Sequence, residues 1–182
     1  IGTGPKAIID NVVMVNSFDE LEAKKELVNG KIVFYNYKFN PTYVTTFLAY
    51  RDAVQYRGYG ASRAAKYGAI AVIVRSMSHS TDNNPHTGAM IYDSAYVKIP
   101  AVAIGLRDAD YLSEKLSKEK VSVYIRTNGK FRPDTIGHNV IGYIDNKATK
   151  TVVLGAHFDH LGYGEDGNSR HTAQDAAIHN GA

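Results

Sequence analysis

Three ionisable side chains, His157, Asp159 and His160, stand directly after an apolar stretch at residues 151–156. The stretch reads TVVLGA, and its β-branched and aliphatic residues predict a buried strand. Because side chains alternate along a strand, His157 and Asp159 are expected on one side and His160 on the other. An imidazole nitrogen binds divalent metal ions, and a nearby carboxylate can hold the ring. The pattern indicates either a metal site or a hydrogen-bonded histidine at the end of a strand.

The string GAHFDHLG at residues 155–162 resembles the first signature of the family 28 metallopeptidases, which are zinc exopeptidases. The string IHNGA at residues 178–182 resembles the start of the family's next motif, I-x-N-G-A-D-D-N. The first aspartate of that motif bridges two metal ions, and the resemblance puts it at the position after Ala182. The catalytic glutamate and the remaining ligands are expected further on. The chain is therefore expected to carry only one of the family's zinc ligands.

The resemblance implies a role for each residue of the motif. His157 would bind one zinc ion through a ring nitrogen, and Asp159 would orient that ring and serve catalysis beside the metal. Two zinc ions would share a water molecule whose pKa they lower toward neutrality. His160 is expected to form hydrogen bonds at the end of the strand or to face the substrate. His171 and His179 are expected in a solvent-exposed polar loop.

The preceding residues alternate between strand and helix patterns, which predicts an α/β (α+β) fold of mixed strands and helices. Ser17 and Glu20 have the spacing of a capping box at a helix start. Pro100 indicates an edge strand or a strand entry, and Gly58 and Gly60 should weaken the middle of their helix. Strands are predicted at residues 12–15, 31–35, 69–74, 99–104 and 121–125, and helices at residues 17–28, 46–67 and 108–117.

Three short strings in this region resemble the protease-associated domain found in the same exopeptidases. They are AAKYGAIAVIVRS at residues 64–76, PHTG at residues 85–88 and KIPAVAI at residues 98–104. The resemblance divides the chain into a linker or the end of a preceding peptidase segment at residues 1–10, a protease-associated domain at residues 11–132, and the incomplete start of a zinc peptidase domain at residues 133–182. Strands at residues 139–144 and 151–156 are predicted to form a hairpin in the peptidase part, as the first strands of an α/β/α domain.

A long polar loop at residues 75–93 contains His79 and His86. Both histidines lack the spacing of metal ligands and a carboxylate partner, so a surface or substrate-facing position is favoured. His86 is the candidate for contact with substrate. The length and composition of the loop predict that it faces a peptide-binding cleft and does not pack in the core.

Three functions are compatible with these features. The first is a zinc-dependent exopeptidase of the aminopeptidase type, acting on peptides with water activated by two zinc ions; the 182-residue chain alone would be inactive. The second is a non-catalytic protease-associated module for recognition or dimerisation. The third is a single-zinc acyltransferase similar to glutaminyl cyclases, against which the protease-associated domain counts. The residues after Ala182 would discriminate all three.

Composition limits the partners. The net charge is +3, and the lysines and arginines are scattered among acids, so nucleic acid is not an expected partner. The sequence has no apolar run near the length of a membrane span. The expected partners are a peptide substrate, the remainder of the peptidase domain and, in a homodimer, a second copy. The first residue is Ile1, which is consistent with a removed signal peptide and a secreted, periplasmic or cell-envelope location.

Overall fold

The structure, a computed structural model, describes residues 1–79, 83–156, 162–163 and 178–179. The chain divides into two units, Ile1–Phe131 and Arg132–Ala182. The strands of the first unit are β1 (Ile8–Val15), β2 (Ile32–Tyr35), β3 (Ala71–Arg75), β4 (Ala101–Ile104) and β5 (Ser122–Ile125). Its helices are α1 (Phe18–Ala23), α2 (Lys25–Val28), α3 (Thr46–Ala65) and α4 (Leu106–Lys118). Every strand predicted between residues 12 and 125 is present, with ends that differ by a few residues, as are the helices predicted at residues 46–67 and 108–117.

The sheet of the first unit is mixed, with the strand order β4-β3-β2-β1-β5. Strands β1 to β4 run parallel, and β5 pairs antiparallel with β1. Val33 on β2 lies opposite Val13 on β1 and Val72 on β3, which fixes the register of the three central strands. The α/β class predicted from the sequence is confirmed.

Strand β2 supplies both hydrophobic cores, because its successive side chains point to opposite faces of the sheet. Val33 and Tyr35 belong to the cluster formed with α1, α2 and α3. Ile32 and Phe34 belong to the cluster on the other face, where α4 contributes Ala109. All four side chains of β2 are fully buried. The sheet is therefore covered by helices on both faces.

The first helix begins where the sequence predicts, but it ends at Ala23, before the predicted end at residue 28. Ser17 Oγ accepts a hydrogen bond from the Glu20 amide at 3.0 Å, and the Glu20 carboxylate accepts one from the Asn16 amide at 2.6 Å. The single helix predicted for residues 17–28 is two, because Lys24 leaves the helical conformation with φ −101° and ψ 11°. Lys24 Nζ there donates to the Met14 carbonyl at 3.0 Å, which ties the break to β1.

The glycines of α3 do not interrupt the helix, which is continuous from Thr46 to Ala65. Gly60 instead makes room for a ring: a Cβ at this position would lie 2.8 Å from Tyr35 Cε2. The Tyr35 hydroxyl donates to the Gly60 carbonyl at 2.9 Å. Burial raises the pKa of Tyr35, so this hydroxyl stays a neutral donor.

A charged residue ends the otherwise apolar β3. Arg75 Nη1 donates to Asp110 Oδ1 of α4 at 2.7 Å and to Asn36 Oδ1 at 3.2 Å. The Arg75 side chain is 9% exposed, whereas that of Asp110 is 60% exposed. The hydrogen bond from Arg75 holds the pKa of Asp110 below its usual value. The contact fastens α4 to the end of the sheet.

The positions of β4 and β1 can be compared with the sequence predictions. Strand β4 is an edge strand and Pro100 precedes it, as predicted. Strand β1 begins at Ile8, within the range 1–10 for which the sequence predicted a linker or the end of a peptidase segment, and that boundary stays a prediction. Gly2 N and Thr3 N donate to the carbonyls of Gly129 and Thr127 at 2.7 and 3.0 Å. The first residues of the unit therefore lie beside its last ones.

The hairpin predicted for the second unit is not present. Residues 139–144 and 151–156 form no strand, and side chains such as Val140 and Leu154 are 87% and 92% exposed. A strand needs a partner for its amides and carbonyls, and no described residue of this unit pairs with either stretch. The only strand pairing in the described part of this unit joins β6 (Gly162–Tyr163) and β7 (Ile178–His179), antiparallel. The sequence pattern had given no sign of strands there.

The contact between Gly60 and the Tyr35 ring generates a stability prediction. Gly60→Ala should destabilise the first unit by about 1–2 kcal/mol, because the buried ring cannot move and overpacking exceeds the gain in helix propensity. Gly58→Ala is the matched control in the same helix, since a Cβ there meets nothing within 4 Å. That variant should be neutral or up to about 1 kcal/mol more stable. Urea unfolding followed by near-ultraviolet circular dichroism measures both, and equal effects would contradict this account of Gly60.

The ion pair at the end of β3 generates a second prediction. Asp110→Asn should lower the free energy of unfolding at pH 7 by roughly 1 kcal/mol, a value reduced by solvent screening of the exposed carboxylate. The folded-state pKa of Asp110 is depressed, so its contribution is present above the unfolded pKa of about 3.9 and is lost as pH falls through the folded value.

The difference between wild type and Asp110→Asn should therefore shrink below about pH 4, in urea titrations repeated from pH 7 to pH 2.5. Glu114→Gln is the control, because Glu114 pairs with Lys118 on the same helix and both side chains are more than 60% exposed. That variant should change stability little at any pH. A pH-independent loss in Asp110→Asn would show that the carboxyl charge is not what stabilises the contact.

Candidate functional site

The predicted metal motif lies mostly outside the described residues. The structure describes the approach to it at residues 151–156, but His157, Asp159 and His160 fall outside the described part of the chain, as does His171. Their arrangement is therefore still a prediction. The donor types fit zinc, which takes imidazole nitrogen and carboxylate oxygen. Among the described residues, no three His, Cys, Asp or Glu side chains are grouped so that they could hold a metal ion.

The backbone of His86 is fixed at the carboxyl end of the parallel strands. Ser76 follows β3, is 1% exposed, and donates its hydroxyl hydrogen to the Ile104 carbonyl at 2.8 Å. Ser76 Oγ also accepts a hydrogen bond from the His86 amide at 2.8 Å. Ser76 was not identified from the sequence. Its position directly after an apolar strand could have indicated a residue at the carboxyl end of the sheet. The substrate-facing role of His86 remains a prediction, with the side chain partly buried.

The second half of the loop packs on α3. Arg57 Nη1 donates to the Thr87 carbonyl at 3.2 Å, and the Ile91 amide donates to the Gly58 carbonyl at 2.8 Å. Met90 and Tyr92 pack against the core cluster on this face of the sheet. The prediction that the loop stays out of the core is therefore wrong for this stretch. The prediction was wrong because it relied on the polar composition of the whole loop and did not consider Met90 and Tyr92.

The first half of the loop is also held by side-chain contacts. Met77 is buried in a small cluster with Phe39, Ala49 and Ala53. The ring of His79 meets that of Phe39 edge-on, with a centroid distance of 4.7 Å. Its exposure agrees with the surface position predicted for it. Across the described residues, the loop is an ordered structure fastened to the fold at several points.

Comparison with known proteins places the chain among peptidases. No family model matches it. Carboxypeptidase Q of Homo sapiens is 34% identical over 168 residues, which are 91% of this chain and 34% of the human protein. Carboxypeptidase Q of Mus musculus is 33% identical over the same shares of the two chains. The chain thus spans about a third of the length of the curated relatives it matches.

A solved structure supports the same assignment at the level of the fold. A peptidase M28 precursor from Shewanella amazonensis superposes with a TM-score of 0.64 at 29% sequence identity. The superposition covers 69% of this chain and 28% of the other. Together with the GAHFDHLG motif at residues 155–162, these similarities show that the chain belongs to the family 28 metallopeptidases.

Proposed function

We propose that this chain is part of a zinc-dependent exopeptidase that hydrolyses peptide bonds with water activated by two zinc ions. The observation that carries the proposal is the 34% identity with human carboxypeptidase Q across 91% of the chain. The aligned length is too great to reflect one shared motif. The GAHFDHLG string supplies residues of the types that this chemistry requires.

His157 and Asp159 carry the proposed metal site in this chain. The ring of His157 would hold zinc through one nitrogen, and Asp159 would accept a hydrogen bond from the other ring nitrogen. That hydrogen bond fixes the tautomer and the direction of the ring and raises its basicity. When bound, zinc polarises the scissile carbonyl and lowers the pKa of water. His160 and His86 are proposed to face the substrate.

The proposal assigns the two units different tasks. Residues 11–132 form a protease-associated domain, and residues 133–182 begin the peptidase domain. Two of the three strings that suggested the first assignment occupy the end of α3, all of β3 and the edge strand β4, so they belong to the framework of the sheet, and the third, at residues 85–88, lies in the loop between β3 and β4. Within the described residues, no helix is long and apolar enough to cross a membrane. A location outside the cytoplasm is part of the proposal, and cell fractionation tests it.

Activity is expected from a longer protein that includes the downstream ligands, and not from the 182-residue chain by itself. The longer protein should release amino acids from peptides, lose activity in a chelator and regain it with zinc. Leucyl anilide and an N-blocked dipeptide, assayed in parallel, decide between aminopeptidase and carboxypeptidase action. The sequence motif favours aminopeptidase action, whereas the name of the relatives favours carboxypeptidase action. Metal-dependent turnover by the 182-residue chain would overturn the proposal. A longer protein that neither turns over peptides nor binds zinc would also overturn it, and would favour a binding module.

Substitutions in the longer protein separate the two proposed roles. His157→Ala should abolish turnover and reduce zinc content, whereas Asp159→Asn should lower the rate by about 10–100-fold with less loss of metal. His138→Ala is the control, because His138 is exposed and lies in the same unit. Zinc analysis and kcat/KM measure these effects. Equal zinc loss in the His157 and Asp159 variants would make Asp159 a direct ligand. His86→Ala in the same assay should raise KM without lowering the Tm.

A further inference from the structure

A groove runs along the outer face of α3, with a volume of about 480 Å³. One wall comes from the helix, at positions whose spacing places them on one face. The other wall comes from the segment at residues 91–96, which includes the end of the long loop. The lining residues are Tyr59, Ser62 and Arg63 of the helix, Lys66 directly after it, and Ile91, Asp93 and Tyr96 of the segment.

The two walls are held together by hydrogen bonds through one hydroxyl. Ser62 Oγ donates to the Ile91 carbonyl at 3.3 Å and accepts from the Asp93 amide at 2.8 Å. The Asp93 carboxylate accepts a hydrogen bond from the Ala95 amide at 2.8 Å, which fixes the turn that follows. The groove is therefore present before any ligand arrives, and a ligand need not order the segment.

The helix wall carries two positive charges, Arg63 and Lys66, and neither has a described carboxylate closer than 3.9 Å. The Arg63 guanidinium lies over the Phe18 ring, 4.7 Å from its centroid, and no described carboxylate lies within 4.0 Å of it. Lys66 Nζ has Glu22 as a partner at 3.9 Å, and both of these side chains are about half exposed. Stacking on Phe18 limits the motion of the guanidinium and leaves its N–H edge for a carboxylate.

The remaining lining of the groove consists of two tyrosines, one isoleucine and one acidic residue. Tyr59, Ile91 and Tyr96 are 48%, 52% and 36% exposed, so they offer apolar surface to a ligand. Asp93 places a carboxylate on the wall opposite the two cations. A phosphate-rich ligand would meet this carboxylate unfavourably, whereas a ligand with one carboxylate, an apolar side chain and an amino group matches all three features.

We propose that this groove binds a short peptide with a free C-terminal carboxylate. The carboxylate contacts Arg63 and Lys66, an apolar side chain lies against Tyr59, Ile91 and Tyr96, and the peptide's amino group faces Asp93. Arg63 is the main determinant, because a guanidinium binds a carboxylate through two parallel hydrogen bonds. The site uses none of the residues proposed to hold zinc, and so it stands without the proposed peptidase activity.

The experiment titrates leucyl-leucine into the 182-residue chain in the presence of a chelator and follows tyrosine fluorescence or amide chemical shifts. The chelator prevents metal-dependent hydrolysis, so a failure of the proposed peptidase activity cannot alter the result. C-amidated and N-acetylated forms of the same dipeptide test the two charged ends, and N-acetylglutamate α-amide tests whether a side-chain carboxylate suffices. Arg63→Gln is compared with Arg51→Gln, an exposed arginine of the same helix that does not line the groove.

Saturable binding of leucyl-leucine is expected, about tenfold or more weaker for Arg63→Gln and for the C-amidated peptide, and unchanged for Arg51→Gln. Lys66→Gln should weaken binding by a smaller factor. A folded Arg63→Gln variant, checked by circular dichroism, that binds as tightly as Arg51→Gln would overturn the proposal. So would equal affinity for the acid and the amide, tighter binding of the side-chain carboxylate, or no binding up to about 10 mM peptide.

Discussion

The fold of the first unit depends on the complete burial of β2. Its four side chains alternate between two cores and none has measurable exposure, so neither face of the sheet can be left open to water. Burial of each large apolar side chain stabilises the fold by about 1.5–3 kcal/mol, which is lost if either helical layer detaches. Helices α1 to α3 on one face and α4 on the other are therefore required together. The contacts of Arg75 and Gly60 make this arrangement specific, because they set where α4 and α3 meet the sheet.

The sequence was most informative where local and tertiary requirements coincide. The apolar run before Arg75 predicted a strand, and Ser17 with Glu20 predicted a helix start, because each signal is contained in a few adjacent residues. Lys24, Gly60 and Ser76 were harder to interpret. The role of each depends on an atom 10 to 25 residues away in the sequence: the Met14 carbonyl, the Tyr35 ring or the His86 amide. Such partners cannot be read from spacing along the chain.

The second unit shows the opposite case. Residues 139–144 and 151–156 have apolar patterns typical of strands, yet a strand exists only when neighbouring backbone groups accept its hydrogen bonds. The structure supplies no such neighbours among the described residues of that unit, and the predicted hairpin fails for this reason. The metal motif was recognisable because GAHFDHLG is specific as a string. The arrangement of His157 and Asp159 depends on the same unpaired region and stays a prediction.

The pairing of residues 2–3 with residues 127–129 also bears on how such a unit can be combined with others. Neighbouring strands lie about 5 Å apart, so the two ends of this unit occupy little more space than the ends of a tight turn. A surrounding domain could accept it at a surface loop with little displacement of its own backbone. Closing a flexible loop of this length would cost about 4 kcal/mol in chain entropy, and here the unit's own folding meets that cost. The closeness of residues 2–3 and 127–129 is the geometry that insertion of a whole unit as one module requires.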